Sequence, residues 1–289
     1  MAACGARAAV LMVEYQIRFD DGAAYERRMG YWSRLAGEIF LDWVATRSGL
    51  RWIDIGCGNG AFTELLVERC APAEVQGIDP SEAQLAFART RAAARLAEFR
   101  QGDAMALPFS EDRFDAAVMA LVIFFVPDPV KCVAEMVRVV CRGGTIAAYA
   151  WDMLGGGFPL EPIQAELRAL GLTYPRPPKS DASRLEALRN LWRDAGLDAV
   201  ETRDITVQRT FGDFDDFWAT SVVGSSVGPI VDAMSSGDVE RLKTRVRSRL
   251  PADAAGCITY SARANAVKGR VLKYLSASRM DCTTQARQR

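Results

Sequence analysis

Residues 51–63 read Arg51-Trp52-Ile53-Asp54-Ile55-Gly56-Cys57-Gly58-Asn59-Gly60-Ala61-Phe62-Thr63, and this stretch decides the fold. Residues 52–55 are an apolar run broken only by Asp54, as expected of a strand buried on both faces of a parallel sheet. Gly56, Gly58 and Gly60 follow at two-residue spacing. From Ala61 onward Phe62, Leu65, Leu66 and Arg69 recur at helical intervals. Strand, glycine turn and helix in that order build a cradle for a small ligand. Glycine lets the backbone bend sharply and meet a ligand closely, and the start of the helix is expected to offer unpaired N–H groups.

The glycine turn alone does not name its ligand, because Gly56-x-Gly58-x-x-Ala61 also fits the relaxed dinucleotide pattern. Asp54 discriminates. A carboxylate just beneath the turn repels pyrophosphate and attracts an ammonium or sulfonium. Asp79 ends a second expected strand, residues 74–79, at about the twenty-residue spacing from which an acid reaches a nucleotide ribose. Such a carboxylate can accept from both ribose hydroxyls. Pro80 and the Ser81-x-x-Gln84 box then open a helix expected to reach about residue 96.

A third strand over 98–101 leads into Gly102-Asp103-Ala104-Met105-Ala106-Leu107-Pro108-Phe109. Together with the motif around Gly56, this segment resembles the class I S-adenosylmethionine (SAM) methyltransferases, in particular those similar to the ubiquinone/menaquinone-biosynthesis enzymes. The resemblance covers residues 25–151. It implies SAM across the carboxyl ends of the first four strands, with Asp103 accepting from the adenine amine and the amide of Ala104 or Met105 donating to a ring nitrogen. It also implies that residues 25–34 close over the methionine end, which makes Tyr25 and Met29 candidates. The fourth strand, residues 114–120, ends in Leu-Val-Ile-Phe-Phe-Val-Pro-Asp-Pro, where the family often carries histidine in place of Phe124 or Phe125. Here one of the two phenylalanines, taken as Phe125, is expected to wall the site beside the sulfonium. The cofactor-binding candidates are therefore Asp54, Gly56, Cys57, Gly58, Gly60, Asp79, Pro80, Asp103, Ala104, Met105, Ala120, Phe125, Tyr25 and Met29. No catalytic residue and no metal ligand is identified. Tyr149, Asp152 and Glu161, near the end of the fifth strand, read as structural.

Composition narrows the chemistry. Lys plus Arg and Asp plus Glu balance at 36 each over 289 residues, so nothing draws the chain generally to nucleic acid or an acidic membrane. The chain has 0 histidines, which removes Ser-His-Asp and Cys-His systems and imidazole bases. Its 7 cysteines show no C-x-x-C spacing, which points to reduced thiols in a cytoplasm and no zinc site. No apolar run approaches membrane-span length, and the one over 8–13 is short for a signal peptide. The expected partner is a small-molecule methyl acceptor, with no nucleic acid and no membrane. Methyl transfer suits such a chain, because a sulfonium is already activated and positioning does most of the work.

The expected fold is α/β: a Rossmann-like, seven-stranded, mostly parallel sheet with helices on both faces, the last strand antiparallel, and a helical cap insertion. Residues 1–48 read as an N-terminal extension (Met12 an alternative start) and a helical preface closing over the cofactor, with a helix over about 31–46. Residues 49–210 and 252–270 read as the SAM-binding domain, 211–251 as the cap, and 271–289 as a disordered tail. A helix over 130–140 is expected to pass through Arg142-Gly143-Gly144 into a strand over 145–150. Helices over 160–170 and 182–195 and strands over 197–207 and 257–267 follow. Arg241, Lys243, Arg245, Arg247 and Arg249 make one cap helix basic, either a solvated face or a grip on an acidic substrate. The expected function is in-line methyl transfer from SAM to a small organic acceptor, driven by positioning rather than by a histidine base. Two alternatives stand beside it. An NAD(P)-dependent oxidoreductase leaves Asp54 and residues 102–104 unexplained; a non-catalytic SAM- or nucleotide-binding module accounts equally well for the front half.

Overall fold

The computed structural model describes residues 29–223 and 225–272, so Tyr25 and residues 273–289 of the expected tail lie outside the described residues. The described chain forms two compact units, one of residues 29–159, 178–210 and 259–272, the other of residues 160–177 and 211–258.

Seven strands make one sheet: β1 Arg51–Ile55, β2 Glu74–Asp79, β3 Ala97–Gln101, β4 Phe114–Ala120, β5 Val140–Trp151, β6 Leu197–Phe211 and β7 Ile258–Val271. Their order is β3-β2-β1-β4-β5-β7-β6. β1 runs parallel to both β2 and β4, β2 to β3, and β4 to β5, whereas β7 is antiparallel to β5. The chain fills one half of the sheet up to β3 and returns beside β1 to begin the other. That reversal between β1 and β4 is the switch point at whose carboxyl ends open α/β sheets bind ligands. The glycine turn leaves β1 there.

Helices surround the sheet in the first unit: α1 Tyr31–Val44, α2 Ala61–Cys70, α3 Glu82–Ala88 and α4 Pro129–Val139. α4 shows why the sequence folds as it does. Asp128 caps it by accepting from the amide of Lys131 at 3.1 Å, and Pro129 occupies the first turn, where no amide is missed. Cys132, Val133, Met136 and Val139 then form one buried stripe. They join Ile53, Ile55, Ile78, Met119 and Ile146 in the core. α1 crosses α2 at Gly37, where a Cβ would stand 2.8 Å from the Leu65 side chain. Beside that crossing the rings of Phe40, Phe62 and Tyr149 pack against one another at tilted angles, with the Phe40 and Tyr149 centroids 4.6 Å apart.

Several boundaries differ from expectation. The helix expected to reach about residue 96 stops at Ala88, and a short 3-10 turn, Ala92–Arg95, follows. The backbone amides of Thr90 and Arg91 bond to the Phe87 and Ala88 carbonyls, three residues back rather than four, and the α-helical ladder ends there. β5 begins at Val140, taking in the Gly-Gly segment read as a loop; its pairing with β4 shifts between Phe114 and Ala116 to accommodate it. α1 ends at Val44, where Ala45 turns left-handed. β7 continues to Val271, so the first expected tail residue is a buried strand residue.

α5 Glu161–Ala169 belongs to the second unit and α6 Leu185–Asp194 to the first. The second unit also holds α7 Phe214–Val222, α8 Gly228–Asp232 and α9 Ser236–Arg249. The buried Glu166 of α5 is held by Arg245 and Arg249 of α9. Arg241 pairs with Asp238, Lys243 with Glu240 and Arg247 with Asp215. All five cations of the basic helix are thus matched inside this unit, which favours a structural role over a grip on an acidic substrate.

In the first unit Trp192 of α6 is fully buried, and its Nε1 donates to the Ile146 carbonyl at 3.1 Å. Trp192→Phe keeps most of the apolar contact and loses the donor. It should cost about 1–3 kcal/mol in urea unfolding.

Candidate functional site

The glycine turn is tied to the end of β2. The amides of Gly56 and Cys57 both donate to the Ile78 carbonyl, at 2.7 and 3.0 Å, and that of Gly58 donates to Asp79 Oδ2 at 2.9 Å. The amide of Gly60 donates to the Cys57 carbonyl at 2.9 Å, and that of Ala61 to Asn59 Oδ1 at 3.2 Å. The amides of Gly56, Cys57, Gly58, Gly60 and Ala61 are thus bonded within the protein, so these five do not form a cluster of free donors for a phosphate. The three glycines also differ. A Cβ on Gly56 would lie 2.5 Å from Val122, and one on Gly60 2.9 Å from Ala88, whereas one on Gly58 meets nothing nearer than Gln84 Oε1 at 4.0 Å. Protein packing explains the first and last. Gly58 faces open space, where a ligand can approach the backbone.

Asp54 is fully buried in β1 below the turn. Its Oδ2 accepts from the Thr63 hydroxyl at 2.6 Å, and its Oδ1 has no hydrogen-bond partner. Burial pushes this carboxyl up to about 7; the Thr63 bond opposes that rise and the neighbouring Asp79 adds to it. A buried carboxyl with an orphaned oxygen fits a ligand that brings positive charge. Cys57, in the turn itself, is buried and its thiol is held well above its ordinary value, chiefly by burial.

Asp79 ends β2 and is 9% exposed. Besides Gly58, it accepts from the Ser81 amide, through Oδ1 at 2.8 Å. Burial raises its pKa, while these two amides lower it. Read from sequence as a surface acid, it is also the post to which the turn is fastened. Pro80 beside it is exposed. Asp103 is exposed after β3, and its Oδ1 accepts from the Met105 amide at 2.8 Å. That bond corrects the expectation for Met105: its amide is spent on the turn, leaving that of Ala104 as the donor beside Asp103. The side chains of Ala104 and Met105 pack against the core.

Ala120 closes β4 opposite Tyr149 of β5, and Leu121 then turns at φ 62°. Val122 settles on Gly56. Phe124 is buried in the core, while Phe125 is only half-buried, its ring 4.7 Å from that of Phe124. Met29 is buried at the start of α1, where Trp32 packs edge-on to Tyr260 at 6.1 Å. Asp152 pairs with Arg263 and accepts from the Gly155 amide, Glu161 pairs with Arg168, and Tyr149 is buried with its hydroxyl 3.5 Å from the Ser33 carbonyl. All three are engaged in the fold.

Thr63, Val122 and Arg91 shape the site and escaped the sequence reading. Thr63 lies one helical turn into α2, facing back to β1, and a polar residue at that spacing was a usable signal. Val122 and Arg91 meet the turn only through tertiary contacts. Among the described residues there is no group of three metal-ligating side chains, and Cys57, Cys70, Cys132, Cys141 and Cys257 are free thiols.

Asp54 makes stability depend on pH. Its folded value of about 7 lies above the roughly 3.9 of an unfolded aspartate, so the unfolded chain loses its proton first as pH rises. Stability from this group is full below about pH 4 and falls away as pH rises through 7. Asp54→Asn removes that slope. Its melting temperature relative to wild type should climb between pH 4 and 8; a constant difference would show that the carboxyl ionises normally.

Residues 53–148 match a protein family described as "Methyltransferase domain". A demethylmenaquinone methyltransferase from Thermus thermophilus is 36% identical over 117 residues, covering 40% of this chain and 51% of that protein. The ubiquinone/menaquinone biosynthesis C-methyltransferase UbiE of Roseobacter denitrificans is 32% identical over 125 residues, 42% of this chain and 50% of that one. The chain thus spans about half the length of the curated relatives it matches. Among solved structures, the YcgJ protein from Bacillus subtilis is similar with a TM-score of 0.54 at 17% identity, covering 83% of this chain and 99% of that one. That likeness shows a shared fold. The likeness to the methyltransferase-domain family is carried by residues 53–148, which run from β1 to β5.

Proposed function

We propose that the protein is a SAM-dependent methyltransferase acting on a small organic acceptor. One observation carries the reading: a buried carboxyl, Asp54, with an orphaned oxygen lies below a glycine turn in which the amides of Gly56, Cys57, Gly58 and Gly60 are already bonded within the protein. Such a turn favours a ligand bringing positive charge over one bringing phosphate. The family match over residues 53–148 supports the class. The names of the two relatives support an acceptor of the quinone-precursor kind.

In this reading Asp54 acts electrostatically on the ammonium end of the ligand, and the open face of Gly58 gives it room. Asp79 retains lone pairs beyond those taken by Gly58 and Ser81, and these accept from the ribose hydroxyls. Asp103 and the Ala104 amide read one edge of adenine, while Phe125, Met29 and, by resemblance, Tyr25 supply apolar or aromatic wall. SAM supplies a methyl group on an already activated sulfonium. The chain binds, orients and excludes water; no side chain is assigned as a base, and alignment carries the rate. Among the described residues no helix is long and apolar enough to cross a membrane. The free cysteines without C-x-x-C spacing support a cytoplasmic enzyme.

The test is transfer of isotope-labelled methyl from SAM to a small-molecule extract or to a demethylated naphthoquinol. Label should appear in a low-mass organic product. Tight SAM binding with no transfer to any fraction would favour the non-catalytic module instead. Asp103→Ala should weaken SAM binding by about 1.5–3 kcal/mol and keep the fold. Asp79→Ala should weaken it similarly and also lower the melting temperature, because the turn loses its fastening. Wild-type affinity in both variants would reduce these acids to turn residues.

A further inference from the structure

Arg91 lies in the connection between α3 and β3, where sequence periodicity expected a helix. Its Nε donates to the Asn59 carbonyl at 2.6 Å, and its Nη1 to Glu64 Oε2 at 2.8 Å. The guanidinium lies 5.4 Å above the Phe87 ring, and only 12% of the side chain is exposed. A Cβ on Gly60 would come within 3.3 Å of Arg91 Cδ. Asn59 is itself buried, with its side chain committed to the amide of Ala61. Arg91 therefore grips the backbone of the glycine turn from outside the motif.

The grip matters because of what it restrains. Gly58 and Gly60, at φ 51° and 77°, flank the Asn59 peptide groups, and glycine on either side leaves little steric bar to rotation of those peptides. Fixing the Asn59 carbonyl fixes the Asn59–Gly60 peptide plane. The Gly58 amide then stays on Asp79 and the open face of Gly58 stays presented. Arginine suits the task better than lysine, since its fork reaches a carbonyl and a carboxylate together. Glu64, in the first turn of α2, balances the charge, so the clamp does not make the turn repulsive to a cationic ligand.

We propose that Arg91 is a positioning residue for the nucleoside cofactor, locking the Asn59–Gly60 peptide so that the turn is preorganised for binding. This rests on the cofactor reading above. The experiment uses Arg91→Lys and Arg91→Gln. The S-adenosylhomocysteine dissociation constant is measured by calorimetry well below the unfolding temperature, together with melting temperature and amide exchange at residues 58–61 in the free protein. Arg91→Gln should weaken binding about tenfold or more, Arg91→Lys less, with faster exchange at Gly60 and Ala61 in both. A variant that melts earlier yet binds within about twofold of wild type overturns the inference, leaving Arg91 a stability residue. Should Arg91→Gln fail to fold, Arg91→Lys decides by the same criterion. Wild-type protein that does not bind S-adenosylhomocysteine overturns the cofactor reading and this inference with it; wild-type binding with unchanged constants in the variants overturns this inference alone.

Discussion

The end of β2 holds the glycine turn, and the site depends on that attachment. One carbonyl, that of Ile78, accepts two amides of the turn, and one carboxylate, that of Asp79, accepts a third. Parallel pairing of β1 with β2 brings these groups together, because Ile55 lies opposite Ile78 in the register. Everything else follows from where the turn is then held. Val122 can rest on Gly56 and Ala88 on Gly60, and Gly58 is left facing space. A turn stapled so fully by its own protein has little to offer a phosphate and much to offer a ligand that needs close backbone approach. The chemistry expected here follows from satisfied hydrogen bonds as much as from charge.

Asp54 supplies the complementary constraint. A carboxyl buried with one hydroxyl partner is costly to ionise, and its neighbour Asp79 adds repulsion. Natural folds keep such a group where function repays it, at sites that a charged ligand completes. The free protein is then less stable at neutral pH than its core alone would make it, and a cationic ligand relieves that deficit on binding. In the proposed reading, ligand and fold would be linked thermodynamically through this side chain.

Much of the fold was legible because buried parallel strands leave a plain mark. β2 and β4 are legible to the residue, β2 as a short segment ending on an acid before Pro80 and β4 as a mainly apolar run. What could not be read depended on contacts distant in sequence. α3 ends early where the amides of Thr90 and Arg91 bond three residues back, and the Arg91 side chain there reaches a carbonyl 32 residues away, which nothing in the residues around it announces. Gly143-Gly144 reads as a loop and is strand, because its irregular pairing with β4 is a tertiary matter. In the site, Asp54, Asp79 and Asp103 could be picked out as candidates from their positions, but not that backbone amides already bond to the latter two. Residue types announce what a site can do; only the fold shows how much of that capacity is already spent.

A calorimetric comparison of S-adenosylhomocysteine and NAD, titrated into the same wild-type protein under the same conditions, tests the central claim most directly. That claim is that the turn accepts an adenosyl amino acid, whose ammonium brings the positive charge, and not a pyrophosphate. The account predicts micromolar binding of S-adenosylhomocysteine, about 8 kcal/mol, and no measurable heat from NAD. Binding of NAD with no response to S-adenosylhomocysteine would contradict it.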